Sequence, residues 1–297
     1  MASVRPMPPV AVVSDTTHYM PAELVRESGI HTVSLYVNQG GVATRESAMP
    51  NFTQFYEDLR MATELPKTSQ PSVGDFLEVY EPLIESGHDI VSVHLAGGVS
   101  GTYEAALKAA DDIAARGGQR RVAVVDSRSA AGGFGAVVLA AAAAANAGGD
   151  VDQVFDRASR AADAIKIWFA VDTLEYFQRG GRIGRAQAWV GGALKVKPIL
   201  TIVDNQITPI ERVRTERRAF ERMVDYLRAR KEDGADAWIV QHIQAPEQAE
   251  HLVAAGREIF LSDPLFVSEI GPVLGIYAGP GLIGVAGLPP DLLSDRL

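Results

Sequence analysis

The stretch that decides the fold class reads IVSVHLAGGVSGTY, residues 90–103. Its first five residues, Ile90–His94, are mostly apolar and predict a buried strand. The pair Ser100 and Gly101 is typical of a helix start, because a serine hydroxyl can cap the free backbone N–H groups there. A strand that leads directly into a helix is the repeating unit of parallel α/β sheets. We therefore predict an α/β protein.

The first half of the chain repeats this alternation of short apolar runs and helical stretches. Ser72 and Asp75 have the spacing of a capping box at the start of a predicted helix that runs to Ile84. The apolar runs predict four strands: Val10–Val13, His31–Tyr36, Ile90–His94 and Arg121–Val125. We predict a parallel-sheet, Rossmann-like α/β domain over residues 1–165.

The second half has a different pattern. Asp204 and Asn205 separate two apolar runs, Ile199–Val203 and Gln206–Val213, which predicts a β-hairpin and hence antiparallel pairing. Two helices and two strands are predicted after the hairpin: Thr215–Lys231, Pro246–Phe260, Ala237–His242 and a last strand near Leu282–Ala286. We therefore predict a C-terminal α/β domain with a mixed sheet over residues 166–297.

The composition excludes several kinds of site. The 297 residues include no cysteine, so the chain has no disulfide, thiolate zinc site or cysteine nucleophile, which suits a reducing cytoplasm. A net charge of -9 disfavours a nucleic-acid partner, since phosphate binding needs a basic face. The six histidines are scattered without metal-ligand spacing. We expect neither a metal nor a cofactor.

Two apolar segments bear on membrane insertion. Residues 1–15 carry one arginine and a run interrupted by prolines, which is too short and too broken for a signal peptide or a membrane span. Residues 136–147 are mostly alanine, and their length is well under the roughly twenty residues that cross a bilayer. The alanine run predicts a buried helix. We expect a cytoplasmic protein without stable membrane insertion.

Two clusters of hydroxyl groups lie where predicted strands should end, the place where open α/β sheets bind ligands. Thr68 and Ser69 precede the helix that Ser72 caps, so their hydroxyls are left over for another role. Ser100 and Gly101 open a helix, where backbone N–H groups and a hydroxyl converge on any bound anion. A plain N-cap would also explain Ser100.

Two glycine-rich turns are further candidates. The sequence RGGRIGR at residues 179–185 holds three arginines, and Arg182 lies at its centre. In an acidic protein such a cluster can position an anion or an acidic partner, although a solvated turn would explain it equally. Residues 279–284 match the dinucleotide fingerprint literally, but prolines follow where a helix should run. A turn into a strand is the better interpretation, and glycine there lets backbone approach a ligand closely.

Together these segments resemble the DegV family of bacterial fatty-acid-binding proteins, and the resemblance runs over nearly the whole chain. Seven motifs in chain order carry it: Ser14-Asp15-Thr16, Thr68-Ser69-Gln70-Pro71-Ser72, Val99-Ser100-Gly101-Thr102-Tyr103, Val125-Asp126-Ser127, Leu174-Glu175-Tyr176 with Arg179-Gly180-Gly181-Arg182-Ile183, Lys197-Pro198-Ile199-Leu200, and Gly279-Pro280-Gly281. Each motif alone is weak, whereas their ordered combination is specific.

The resemblance implies a long-chain fatty acid buried in an apolar tunnel between the two domains. It also implies that hydroxyls at Thr68 and Ser100 hold the carboxylate, and that a dihydroxyacetone-kinase-like partner phosphorylates it to an acyl phosphate. The chain would then be a carrier and not an enzyme. The expected ligand-binding residues are Thr68, Ser69, Ser100, Gly101, Arg182, Tyr277 and Gly279, with no catalytic residue.

The chain departs from the family pattern at two places. Tyr277 stands where the family commonly has a histidine two residues before the Gly-Pro-Gly turn, and Ala96 and Gly97 replace a pair of serines. Because a tyrosine hydroxyl does not titrate near neutral pH, we expect ligand retention to vary little between pH 6 and 8.

Two other function classes compete with a carrier. A serine hydrolase of acyl esters or thioesters would use Ser100 as nucleophile and His242, at a predicted strand end, as base. Thr102, however, stands where a nucleophile elbow needs its final glycine. A protein-interaction scaffold would have no apolar cavity between its domains.

Overall fold

The computed structural model describes residues 9–49, 51–190, 196–294 and 296, so the first eight residues of the N-terminal stretch lie outside it. The strands within these ranges are β1 (Val10–Asp15), β2 (Ile30–Val33), β3 (Tyr36–Gln39), β4 (Val42–Arg45), β5 (Lys67–Ser69), β6 (Asp89–His94), β7 (Val122–Asp126), β8 (Lys166–Ala170), β9 (Lys197–Val203), β10 (Gln206–Val213), β11 (Ala237–His242), β12 (Phe266–Glu269) and β13 (Ile283–Leu288).

The helices are α1 (Ala22–Glu27), α2 (Phe52–Met61), α3 (Val73–Glu85), α4 (Thr102–Ala115), α5 (Ala131–Asn146), α6 (Val151–Ala164), α7 (Glu175–Arg179), α8 (Glu216–Glu232), α9 (Pro246–Phe260) and α10 (Pro272–Ala278). Among the described residues, no helix combines the length and apolar character needed to cross a membrane.

The N-terminal half contains a four-stranded parallel sheet in the order β2-β1-β6-β7. Every residue of β6 is buried, as expected for a central strand with helices on both faces. Phe76 and Tyr80 of α3 pack on one face, and α5 packs on the other. The predicted capping box is present, since Ser72 and Asp75 bond each other's backbone N–H groups. These elements confirm the predicted parallel sheet.

The predicted strand His31–Tyr36 is wrong in one respect, because the structure divides it between two sheets. β2 belongs to the parallel sheet, whereas β3 begins at Tyr36 and pairs antiparallel with β4 and β5 in a separate three-stranded sheet. Residues 34 and 35 form the break between the two strands. A chain that moves from one sheet to the next without a turn signal gives no sequence pattern that marks the change.

The C-terminal half forms a six-stranded mixed sheet in the order β10-β9-β8-β13-β11-β12. The predicted hairpin is confirmed: Asp204 and Asn205 join β9 to β10 with φ values of 50° and 59°, as a type I′ turn requires. The predicted strand Ala237–His242 and helix Pro246–Phe260 are also confirmed with the same bounds. β8 and β12 were not predicted.

Helix α5 joins the two sheets into one core. Its alanine run is buried as predicted, and it contacts β1 and β6 of the parallel sheet as well as β11 and β13 of the mixed sheet. Alanine side chains are short enough to let both sheets approach the helix closely. The predicted domain boundary near residue 165 falls between the end of α6 and the start of β8.

Candidate functional site

An apolar cavity of about 370 Å³ lies between the mixed sheet and the N-terminal half. Its size is within the usual range of small-molecule sites, roughly 300–1,000 Å³. Both halves of the chain contribute to its wall, mostly with aliphatic and aromatic side chains such as Leu35, Leu95, Phe169, Ile202, Ile239 and Leu274. Such a wall favours a flexible hydrocarbon ligand.

Polar groups are concentrated at one end of the cavity. Strand β5 places Thr68 there and helix α10 places Tyr277, and the two hydroxyl oxygens are 2.5 Å apart. Ser69 also lines this end but is exposed, and its hydroxyl accepts a hydrogen bond from the Asn38 amide at 3.2 Å. The Thr68–Tyr277 hydrogen bond uses one of the two hydroxyl protons, so the pair has one donor left for a carboxylate. We call this the head-group end.

The loop before α4 brings Ser100 and Gly101 to the same cavity. Helix α4 begins at Thr102 with Gly101 as its N-cap, so Ser100 lies one residue ahead of the cap. Its hydroxyl accepts from the Thr102 N–H at 3.3 Å and lies 2.9 Å from the Thr102 hydroxyl. A side chain on Gly101 would lie 2.2 Å from the Gln70 amide oxygen, so the two hydroxyl-bearing loops are in contact.

The C-terminal hairpin holds the loop that carries Ser100. Asn205 donates to the Asp126 carboxylate at 2.8 Å, and the other Asp126 oxygen accepts from the Gly97 N–H at 3.3 Å. A Cβ at Gly98 would lie 2.3 Å from the Asn205 carbonyl oxygen. This close approach leaves no room for a side chain at position 98.

Of the three arginines in the glycine-rich turn, only Arg182 lines the cavity. Its guanidinium lies 5.0 Å from the ring centroid of Tyr277 and donates to the Gly180 carbonyl at 3.1 Å. Arg179 instead pairs with Glu175, and Arg185 pairs with Asp204. Arg182 is exposed, so its charge remains accessible from solvent beside the head-group end.

The last residue expected to bind the ligand, Gly279, does not line the cavity. It follows α10 with a φ of 74°, and the Tyr176 ring occupies the space where its Cβ would lie. Its role in the structure is to turn the chain from α10 towards β13.

The geometry offers no base for Ser100. Within the described ranges, no histidine lies at hydrogen-bond distance from the Ser100 hydroxyl, and His242 does not line the cavity. The Nδ1 atom of His242 accepts from the Ala245 N–H at 3.3 Å, and burial lowers the pKa of this histidine. A hydrolase that uses this pair has no support here. The part of the chain that the structure describes also has no cluster of three or more potential metal ligands.

Gln70 and Glu46 are site residues that the sequence did not single out. Gln70 lines the cavity between Thr68 and Gly101 and lies within the same quoted motif as Thr68. Glu46 lies behind the cavity wall, 3% exposed, and hydrogen-bonds to α10. An isolated glutamate after a short strand carries no sequence signal for such a role.

The fold and the cavity define the class of protein. It is a two-domain α/β protein in which a parallel sheet and a mixed sheet share one core, with a ligand-sized apolar cavity between them. A family model described as "Uncharacterised protein, DegV family" matches residues 9–289. A DegV domain-containing protein of Streptomyces coelicolor is 41% identical over 280 residues, which cover 93% of this chain and 97% of that protein. The chain belongs to the DegV family.

Solved structures share the fold. A DegV family protein from Thermus thermophilus, described as fatty acid binding, has a TM-score of 0.82 and 32% identity, covering 94% of this chain and 99% of that chain. DegV from Bacillus subtilis, described as a fatty acid binding protein, has a TM-score of 0.82 and 30% identity, covering 95% of this chain and 99% of that chain. These similarities confirm the predicted two-domain α/β fold.

Proposed function

We propose that this protein binds one long-chain fatty acid in the cavity, with its carboxylate at the head-group end. The observation that carries the proposal is an apolar cavity, shared by both halves, that ends in the paired hydroxyls of Thr68 and Tyr277. Ser100 adds a third hydroxyl on an adjoining loop. DegV proteins of Thermus thermophilus and Bacillus subtilis are described as binding fatty acids, which supports the same ligand here.

The energetics favour a tightly held chain. Burial of each methylene contributes about 0.8 kcal/mol, so a sixteen-carbon chain gains on the order of 10 kcal/mol before the cost of ordering it. The polar end then needs to supply orientation more than affinity. A cavity of this kind also argues against a protein-interaction scaffold.

We further propose that the bound acid is presented to a cytoplasmic, dihydroxyacetone-kinase-like partner. The partner transfers the terminal phosphoryl group of ATP to a carboxylate oxygen, giving an acyl phosphate and ADP. In this scheme the chain carries out no chemistry itself. Arg182 supports it, because an exposed cation beside the carboxylate can steer and position a phosphoryl donor.

The test is to identify the lipid that the protein carries from cells. Native mass spectrometry of the purified protein should show one fatty acid per chain, and denaturation should release it for identification. A protein that arrives empty and takes up neither oleate nor palmitate would contradict the proposal.

A further inference from the structure

Helix α10 carries one half of the head-group pair, yet it is too short to hold its own position. It spans seven residues, and isolated helices of that length are marginal in water. Its N-cap, Gly271, offers no side chain to its first backbone N–H groups. Because Val273 and Leu274 of this helix line the cavity, a shift of α10 would change the wall and move Tyr277 away from Thr68.

The first turn of α10 is bound by side chains from the beginning of the chain. The Val273 N–H donates to Oε1 of Glu46 at 2.7 Å, and the Leu274 N–H donates to the Tyr19 hydroxyl at 3.2 Å. That hydroxyl donates in turn to the same Glu46 oxygen at 2.8 Å. Glu46 therefore supplies, directly and through Tyr19, the cap that Gly271 lacks.

Close packing leaves α10 little freedom to move against these bonds. The Tyr56 hydroxyl donates to the carbonyls of Ile270 and Gly271, at 2.6 and 3.0 Å. A Cβ at Gly275 would lie 2.1 Å from the Tyr56 hydroxyl oxygen. The helix can therefore keep all of these contacts in one position only.

Glu46 is buried without a counter-charge. Within the described part of the chain, no cationic side chain lies at ion-pairing distance from it; the groups that face it are Asp15, Thr16, Tyr19 and Tyr56 together with the first turn of α10. Burial raises the pKa of Glu46 to about 7, although hydrogen bonds from Val273, Tyr19 and Thr16 oppose that rise. The carboxyl group therefore changes charge near neutral pH.

We propose that Glu46 is the positioning residue of the head-group site, whose buried carboxyl group fixes α10 and thereby the Tyr277 hydroxyl. Because burial of Glu46 favours its neutral form, ionisation at higher pH loosens the helix and the bound acid. This inference rests on the proposed fatty-acid function. It replaces the expectation of constant retention between pH 6 and 8, because the residue that holds the helix of Tyr277 titrates there.

The experiment compares oleate affinity at pH 6, 7 and 8 in the wild type and variants. Glu46→Ala should weaken binding about tenfold at pH 6, the effect of leaving a buried backbone N–H without its partner. Glu46→Gln keeps an oxygen for the Val273 N–H and can donate to the Thr16 hydroxyl, so it should restore most of the affinity and abolish the pH dependence. The wild type should bind more weakly at pH 8 than at pH 6.

Two further variants keep the test decisive. Tyr19→Phe removes the hydroxyl that accepts from the Leu274 N–H and perturbs the fold less than Glu46→Ala does. It should weaken oleate binding, so it tests the proposal even if Glu46→Ala does not fold. Tyr80→Phe removes a buried hydrogen bond to Ser92, away from the cavity, and should leave oleate affinity unchanged. Wild-type affinity in folded Glu46→Ala and Tyr19→Phe, or identical pH profiles for the wild type and Glu46→Gln, would overturn the role of Glu46. A wild type that binds no oleate would overturn the fatty-acid function itself, and the Glu46 proposal with it.

Discussion

This protein has two clusters of polar side chains with similar residue types, one enclosed in the core and the other open to the cavity. In the core of the parallel sheet, Tyr80 donates to Ser92, Ser92 contacts His94, and His94 contacts Asp15, at 2.7, 2.7 and 3.0 Å. At the head-group end, the hydroxyls of Thr68 and Tyr277 contact each other on the wall of a cavity.

The difference lies in spare hydrogen-bonding capacity. The core cluster has the residue types of a Ser-His-Asp triad, but its side chains are buried and bonded to one another, and none lines the cavity. The hydroxyls at the head-group end are half-buried and have acceptor and donor positions left for a ligand. Residue types alone would point to the core cluster, so accessibility to the cavity is the better criterion for the proposed site.

The largest expected effect is on the core cluster. Asp15→Ala removes a buried carboxylate that contacts His94 and accepts from the Leu95 N–H, and it leaves the His94 Nδ1 atom and the Leu95 N–H without this partner. We expect the free energy of unfolding to fall by about 3–5 kcal/mol, the usual cost of breaking a buried pair. Urea unfolding measures this change. Thr68→Ala is the control and should change the free energy of unfolding by less than about 0.5 kcal/mol. Equal losses of stability in the two variants would contradict the distinction between the core cluster and the head-group end.

The next effect is on the pH dependence of stability and concerns two other buried groups. Glu46 has a folded-state pKa of about 7, above its usual 4.5. Its stabilising contribution to the free energy of unfolding is therefore complete below pH 4.5 and is lost as the pH rises through the pKa of about 7. Burial lowers the pKa of His18 to about 4, below its usual 6.5. Its stabilising contribution to the free energy of unfolding is therefore complete above pH 6.5 and is lost as the pH falls through the pKa of about 4.

These two contributions oppose each other between pH 4.5 and 6.5. Glu46→Gln removes one of them, so the free energy of unfolding should rise with pH by about 1.4 kcal/mol per unit relative to the wild type. His18→Gln should produce the opposite slope. Unfolding curves at several pH values measure both slopes, and parallel profiles for all three proteins would show that neither group titrates as expected.

The third expected effect is on ligand binding at the head-group end. Thr68→Ala and Ser100→Ala should each weaken oleate binding by roughly 1.5–3 kcal/mol, the range for a hydrogen bond to a charged group, without a matching loss of stability. Competitive displacement of a fluorescent fatty acid measures the affinity. Tyr80→Phe, which loses a hydrogen bond away from the cavity, should keep the wild-type affinity. Unchanged binding in both alanine variants would contradict the proposed site.

Local chemistry allowed much of this fold to be predicted from sequence. The turn at Asp204 and Asn205 and the capping box at Ser72 depend on neighbouring residues, and both are confirmed. The division of His31–Tyr36 between two sheets depends on pairing with distant strands, so alternation of apolar residues could not show it.

The same reasoning applies to the site. Thr68 stood out because its hydroxyl exceeded what the helix cap needs, and Ser100 because it opens a helix where backbone N–H groups can bind an anion. Glu46 could not be found in this way, because its partner Val273 lies 227 positions along the chain. Contacts at such separation are decided by how the two halves pack, and no local pattern records them.

The smallest expected effect concerns Arg182, which lies between the cavity and solvent. Its guanidinium faces the Tyr277 ring at 5.0 Å and is exposed, a geometry in which a cation–π contact contributes about 0.5–1 kcal/mol. Arg182→Ala should therefore lower oleate affinity by no more than that amount while clearly slowing acyl phosphate formation with the partner kinase. Arg185→Ala is the matched control, since Arg185 lies in the same turn but pairs with Asp204. Oleate affinity measured alongside kinase turnover separates a role in ligand binding from a role in phosphoryl transfer. A large loss of oleate binding in Arg182→Ala would make this arginine a carboxylate ligand. The head-group end would then depend on charge as well as on hydroxyl groups.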